Sequence, residues 1–168
     1  RVDAAALGRV GALHRHLDAV GIVDLLRDHV AARADVAVVG LAERVAAHAA
    51  DGYVRATNKA SVLLTYLSPG LTNAATGVAN AALDSIPMVV IAGDVQSYYY
   101  GRHPHQEVNL HQDADQSQIY RPFCKRVYRV DRVEDLPRIL ERAFHLSQSG
   151  RPGPVLVDIG GPFWNFDV

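Results

Sequence analysis

The stretch ERVAAHAADGYVRATNKASVLLTYLSPGLTNAATGVANAALDSIPMVVIAG, residues 43–93, decides the fold class. From Glu43 it opens Ala-rich and helix-forming, with Gly52 placed to loosen or end the helix. Ser61-Val62-Leu63-Leu64-Thr65-Tyr66 follows as a short apolar run of strand type. Ser68-Pro69-Gly70-Leu71-Thr72-Asn73 reads next as a turn, in which a glycine after proline lets backbone N–H groups approach a ligand that any Cβ would keep away. Residues 74–83 are again Ala-rich and helical in propensity, and residues 86–93 form a second apolar run that ends at Gly93. Strands each followed by a helix, with a glycine-bearing turn after the first, predict an open α/β sheet that takes ligands at the carboxyl ends of its strands.

Outward from this stretch the same alternation continues. Upstream, Asp35-Val36-Ala37-Val38-Val39-Gly40-Leu41 reads as a buried strand leading into Glu43. Before it, residues 21–32 carry Ile22, Leu25, Leu26 and Val30 at helical spacing, and residues 4–20 carry Leu7, Val10, Leu13 and Leu17. His14 and His16 stand two apart on that first helix, so they point to different faces and do not make a metal site. Downstream, residues 94–118 are polar and contain Tyr98-Tyr99-Tyr100 with His103, His105 and His111. No cysteine or paired carboxylate spacing accompanies these histidines, so a metal is not assigned. Within residues 119–130, Phe123-Cys124-Lys125-Arg126-Val127-Tyr128-Arg129-Val130 is expected to give an edge strand after a loop. Leu136, Ile139, Leu140, Ala143 and Phe144 then repeat at helical period, with Pro137 tolerable in the first turn and Gly150 as the stop, before Val155-Leu156-Val157-Asp158-Ile159 supplies a last buried strand. The expected architecture is a three-layer α/β sandwich, a central parallel sheet with helices on both faces, formed by residues 1–168 as one domain.

Size and charge narrow the function classes. A chain of 168 residues with 49% hydrophobic and 21% charged residues can bury one independent core. Its formal net charge of -1 offers no electrostatic reason to expect nucleic acid or an acidic membrane as partner. A single cysteine, Cys124, excludes an intrachain disulfide and favours a reducing, cytoplasmic setting, with the thiol read as structural. No apolar run approaches the ~20 residues of a membrane span, and the charged start lacks a signal-peptide core. The chain begins at Arg1 instead of Met, so a segment upstream is expected.

The motifs AAHAADGYVRAT (46–57), SPGLTNAATGVANAALDSIP (68–87) and SGRPGPVLVDI (149–159) stand in one order along residues 21–160. That series resembles the pyrimidine-binding (PYR) domain of thiamine-diphosphate enzymes of the acetolactate synthase, pyruvate oxidase and benzoylformate decarboxylase type. In such a domain a glutamate hydrogen-bonds N1′ of the cofactor's pyrimidine and favours the imino tautomer that makes the 4′-nitrogen basic, and Glu43 matches it. Ser68, Pro69, Gly70 and Asn73 match the turn that abuts the pyrimidine ring. His105-Gln106-Glu107 resembles the Phe-Gln-Glu stretch over the active site, with Gln106 as the matching residue. Thr76, Gly77, Asn80 and Asp84 match motif positions too, where helix packing and subunit contact are the expected roles.

The resemblance also marks departures. Ala42-Glu43 stands where the family has His-Glu, and Leu17-Asp18-Ala19-Val20-Gly21 stands in place of a Phe-Gly-x-Pro-Gly type turn. Residues 1–20 and 160–168 diverge from the family pattern. Neither the Gly-Asp-Gly nor the Asn-Asn element that holds Mg²⁺ and the diphosphate in these enzymes occurs in the sequence, since Gly93-Asp94 continues with Val95. The resemblance therefore implies the pyrimidine end only of a thiamine diphosphate site, inactive alone. It would act on a 2-keto acid (decarboxylation or carboligation) with Mg²⁺ on a separate diphosphate-binding domain. A homo-oligomer or a heteromer is implied, as these domains build active sites between subunits. The alternative is a non-catalytic PYR-like module kept for assembly or regulation. A nucleotide-binding α/β domain is disfavoured, because no GxGxxG or phosphate-loop fingerprint is present.

Overall fold

In the computed structural model, which describes residues 37–39, 42–95, 99–100, 102, 106–108 and 115–160, a 5-stranded sheet runs in the order β1-β2-β3-β5-β4, every neighbouring pair parallel. The strands are β1 (Ala37–Val39), β2 (Ser61–Tyr66), β3 (Met88–Gly93), β4 (Arg126–Val130) and β5 (Val155–Ile159). Among the described residues three α-helices connect them: α1 (Glu43–Thr57), α2 (Leu67–Leu83) and α3 (Leu136–Gln148). Two 3-10 turns, Gln116–Tyr120 and Val133–Asp135, stand before and after β4. The helices expected over residues 4–20 and 21–32, Val36 at the first strand's start, His103, His105 and His111, and the tail beyond Gly160 lie outside the described residues.

Topology sets the layers. From β1 to β3 the chain steps in one direction across the sheet, whereas β5 steps back from the edge strand β4 to lie beside β3. A right-handed crossover in each direction puts its helix on the opposite face. So α1 and α2 cover one side and α3 the other, as expected from the sequence. Side-chain alternation agrees: Leu63, Met88, Val90, Ala92 and Leu156 pack with α1 and α2. Val62, Val89, Ile91, Val155, Val157 and Ile159 pack instead with Leu136, Leu140, Ala143 and Phe144 of α3.

The α1–α2 contact is made of small residues. A Cβ on Gly77 would fall 2.6 Å from the Ala47 Cβ, so glycine there is what lets the two helices approach. Ala46, Ala47 and Ala50 from α1 meet Ala74, Val78 and Ala81 from α2 in one buried cluster. These small side chains are packed against each other within the chain. Four motif residues tie the same helices together through polar contacts. Asp51, 6% exposed, accepts from Arg55 at 2.9 Å and from Asn80 at 3.2 Å, and Arg55 also reaches Asp84. At the far end, Arg151 donates to the Ser85 Oγ at 2.8 Å and to the Leu83 carbonyl at 3.1 Å, closing off α2.

Two local readings are corrected. Gly52 lies inside α1, which runs on to Thr57 and ends on Asn58 in the left-handed conformation (φ 58), its N–H bonded to the Val54 carbonyl. The Ser-Pro-Gly-x-Thr-Asn segment is not a turn between strand and helix but the first turn of α2 itself. β2 passes into α2 with no loop, through Leu67 at φ 53, a left-handed conformation that costs a non-glycine residue roughly 1–2 kcal/mol. Pro69 fits because an N-terminal turn has no earlier carbonyl to which its missing N–H would donate.

Candidate functional site

Every strand of a parallel sheet points its carboxyl end the same way, and here those ends carry the residues singled out from the sequence. Glu43 is the first residue of α1, just beyond β1, and is half-buried. An acid in a helix's first turn is favoured by the helix dipole, so the position suits it on structural grounds as well. Gly70 is buried in the first turn of α2, and a Cβ there would lie 3.1 Å from the Glu43 Oε1. The missing side chain at Gly70 is thus the space in which the Glu43 carboxylate rests. Pro69 and Asn73 are exposed and four apart, hence on one face of α2. Gln106 is half-buried, with φ 70, in the long connection from β3 to β4.

Ser68 is placed differently from its neighbours. Its side chain is buried, and its Oγ donates to the Gln116 Oε1 at 2.9 Å while accepting the Val108 N–H at 3.3 Å. The hydroxyl therefore faces the interior and links the first turn of α2 to the segment holding Gln106. The structure brings Glu43, Gly70, Ser68 and residues 106–108 together in this way.

Beneath them lies a set of buried polar groups that sequence reasoning passed over. Gln116, fully buried, donates from Nε2 to the Gly93 carbonyl at 3.1 Å and to the Asp158 Oδ1 at 2.8 Å. Asp158 and Arg129 are register partners on adjacent strands. Asp94, 1% exposed, accepts from the Val95 N–H at 2.7 Å and the Tyr100 hydroxyl at 3.1 Å, with the Arg129 guanidinium 3.5 Å away. That guanidinium also lies over the Tyr100 ring, 4.5 Å from its centroid, and 3.5 Å from Asp115. Burial raises Asp158 to about 7, and the neighbouring Asp94 charge pushes the same way. Burial also raises Asp94, against the pull of the Val95 N–H and Arg129. One signal could have found this cluster: an acid at the carboxyl end of an otherwise apolar strand, as in Val155-Leu156-Val157-Asp158-Ile159, needs a partner.

Both carboxylate oxygens of Glu107 are shut off from solvent without a hydrogen-bond partner. Among the described residues, no group of His, Cys, Asp and Glu is arranged to hold a metal ion. Cys124 is raised by burial to about 12, so at neutral pH it remains an unreactive thiol. No described helix is long and apolar enough to cross a membrane.

Fold and site together define a doubly covered parallel α/β domain with its ligand face at the carboxyl edge of the sheet, where α1 and α2 begin. Residues 19–119 match the family described as thiamine pyrophosphate enzyme, N-terminal TPP binding domain, and the chain belongs to that family. Its resemblance to the PYR domain thereby holds, and thiamine diphosphate is the family's cofactor. The chain is 48% identical over 117 residues to the acetolactate synthase large subunit of Buchnera aphidicola, a match covering 70% of the chain and 19% of the relative. It is 44% identical over the same length to the acetolactate synthase isozyme 3 large subunit of Escherichia coli, again 19% of that protein. The chain thus spans about a fifth of the curated relatives it matches. Among solved structures, the thiamine diphosphate-dependent 4-hydroxybenzoylformate decarboxylase of Rhodococcus jostii superposes with a TM-score of 0.72 at 22% identity, covering 84% of the chain and 30% of that protein. With such relatives, a module retained for assembly alone is not favoured.

Proposed function

We propose that this chain is the pyrimidine-binding half of a thiamine-diphosphate-dependent enzyme of acetolactate synthase type, acting on a 2-keto acid by decarboxylation or carboligation. The observation that carries the reading is the pairing of Glu43 with Gly70. A carboxylate at the start of α1 rests where the first turn of α2 has no side chain, so one flat ring edge could reach the acid while its face meets that turn. When bound, thiamine diphosphate supplies a thiazolium carbon that adds to the carbonyl of the 2-keto acid.

The chain's own residues bind, orient and manage one proton. Glu43 holds or shares the proton at the pyrimidine N1′, a role for which a half-buried carboxylate is suited. Gly70 leaves room for the Glu43 carboxylate to meet the ring edge, and Pro69 and Asn73 flank the ring on the exposed side of α2. Ser68, its hydroxyl engaged inside, serves by fixing the backbone of that turn. Gln106 covers the site from the connection after β3. Mg²⁺ and the diphosphate belong to a separate domain, reached through self-association or a heteromeric partner.

Calorimetry and kinetics test the reading. The pyrimidine's roughly nine heavy atoms, at about 0.3–0.5 kcal/mol each, give a dissociation constant near or above ~1 mM, so residues 1–168 alone are expected to bind thiamine diphosphate barely and to show no turnover. Supplying the diphosphate-binding domain restores both. Glu43→Gln in the complete enzyme then lowers turnover by about 100-fold or more with assembly intact. Micromolar binding by the isolated chain, or full activity of Glu43→Gln, overturns the assignment.

A further inference from the structure

We infer that Gln116 is a positioning residue, the buried anchor of a hydrogen-bond relay that holds the Gln106 segment against the first turn of α2. The relay runs from the Asp158 Oδ1 through the Gln116 amide to the Ser68 Oγ and on to the Val108 N–H, over 2.8, 2.9 and 3.3 Å. Its direction is set by chemistry. The Gly93 carbonyl can only accept, so the Gln116 Nε2 must face it and the Oε1 must face Ser68. Ser68 has one hydroxyl hydrogen, which goes to the Gln116 Oε1, leaving its lone pairs for Val108. Each donor hydrogen is then used once, the two on the Gln116 Nε2 going to the Gly93 carbonyl and the Asp158 Oδ1, and removing the amide frees the Ser68 hydroxyl to turn away from Val108.

The consequence falls on Gln106, two residues before Val108. Gln106 holds φ 70, a conformation that a non-glycine residue leaves unless something keeps it there. The relay is the restraint the structure offers, joining the β3–β4 connection to β3, β5 and α2 at once. This inference rests on the proposed cofactor reading only for its effect on binding; the relay itself is independent of it.

Amide-resolved hydrogen exchange on the full-length protein is the test, with thiamine diphosphate affinity as second readout. Gln116→Met, similar in volume, is expected to lower Val108 protection about tenfold, the equivalent of one hydrogen bond, and to weaken cofactor binding with a smaller change in kcat. Ser68→Ala cuts the relay at its other end, leaves the core in place, and should match that loss. The double variant should lose no more than either single one, as expected for links of one chain. Gln118→Met, an exposed change on the same 3-10 turn, leaves all of these unchanged. Unaltered Val108 protection in Ser68→Ala, or losses that add in the double variant, overturns the relay. Should Val108 protection fall as expected while Gln106→Ala binds cofactor as tightly as the parent, the relay stands and the cofactor role of Gln106 falls.

Discussion

The sheet's two faces are built from different materials. On one, α1 and α2 meet through Ala46, Ala47, Ala50, Ala74 and Gly77, and a polar network gathers at the carboxyl edge. On the other, α3 packs Leu136, Leu140 and Phe144 onto valine and isoleucine with ordinary large-residue contacts. Small residues forgo apolar area but bring two helix N-termini and their backbones close together, which is what a site assembled from Glu43 and Gly70 requires. Large residues give stability without placing any functional group. One face therefore carries the proposed site, and the other chiefly holds the sheet.

Four measurements can break or sharpen that division. Phe144→Ala, on the α3 face, is expected to cost about 3–5 kcal/mol in chemical denaturation while leaving the carboxyl-edge site intact. Loss of cofactor binding when the same variant is placed in the complete enzyme would show the faces to be coupled.

The next effect is electrostatic. Asp158 rises from 3.8 to about 7 on folding, so between those values the native state binds more protons than the unfolded chain. Stability then falls as pH rises through that window, by at most about 4 kcal/mol, and levels off above it; Asp94 adds to the fall. Asp158→Asn should flatten the slope, measured as denaturation midpoints from pH 4 to pH 8. A parent profile that rises across this window would mean that Arg129 and Gln116 outweigh burial.

Gly77→Val forces a side chain into Ala47 and is expected to cost about 1–3 kcal/mol and to spread α1 from α2, weakening the Glu43–Gly70 approach. A variant as stable as the parent would show that the small-residue seam has slack. The smallest effect is expected at Lys125, whose Nζ donates to the carbonyls of Leu146 and Ser149 at the end of α3. Lys125→Met should cost about 0.5–1 kcal/mol in thermal unfolding, with cofactor affinity unchanged.

Much of the architecture was legible residue by residue. Apolar runs at 62–66, 88–92 and 155–159 are strands, the period from Leu136 to Phe144 is α3, and residues 126–130 are the edge strand. Where local reading failed, a longer-range contact decided. Gly52 is carried within α1 because neighbouring alanines pack on α2, which outweighs a propensity cost of about 1 kcal/mol. The Ser-Pro-Gly segment joins α2 because Tyr66 passes directly into the helix through the strained Leu67.

For the site the same boundary applies. Motif order along one chain was enough to nominate Glu43, Ser68, Pro69, Gly70, Asn73 and Gln106, since residue type and spacing are properties of the sequence itself. That the Ser68 hydroxyl turns inward, that Glu43 occupies the space over Gly70, and that Gln116, Asp158, Asp94 and Arg129 form one network were decided only by the tertiary structure. Gln116 and Asp158 stand 42 apart in the chain, and Ser68 and Gln116 48 apart. Hydrogen bonds are short-ranged and directional, so partners so distant in sequence acquire a meaning only once crossover handedness and strand register have brought them to one edge of the sheet.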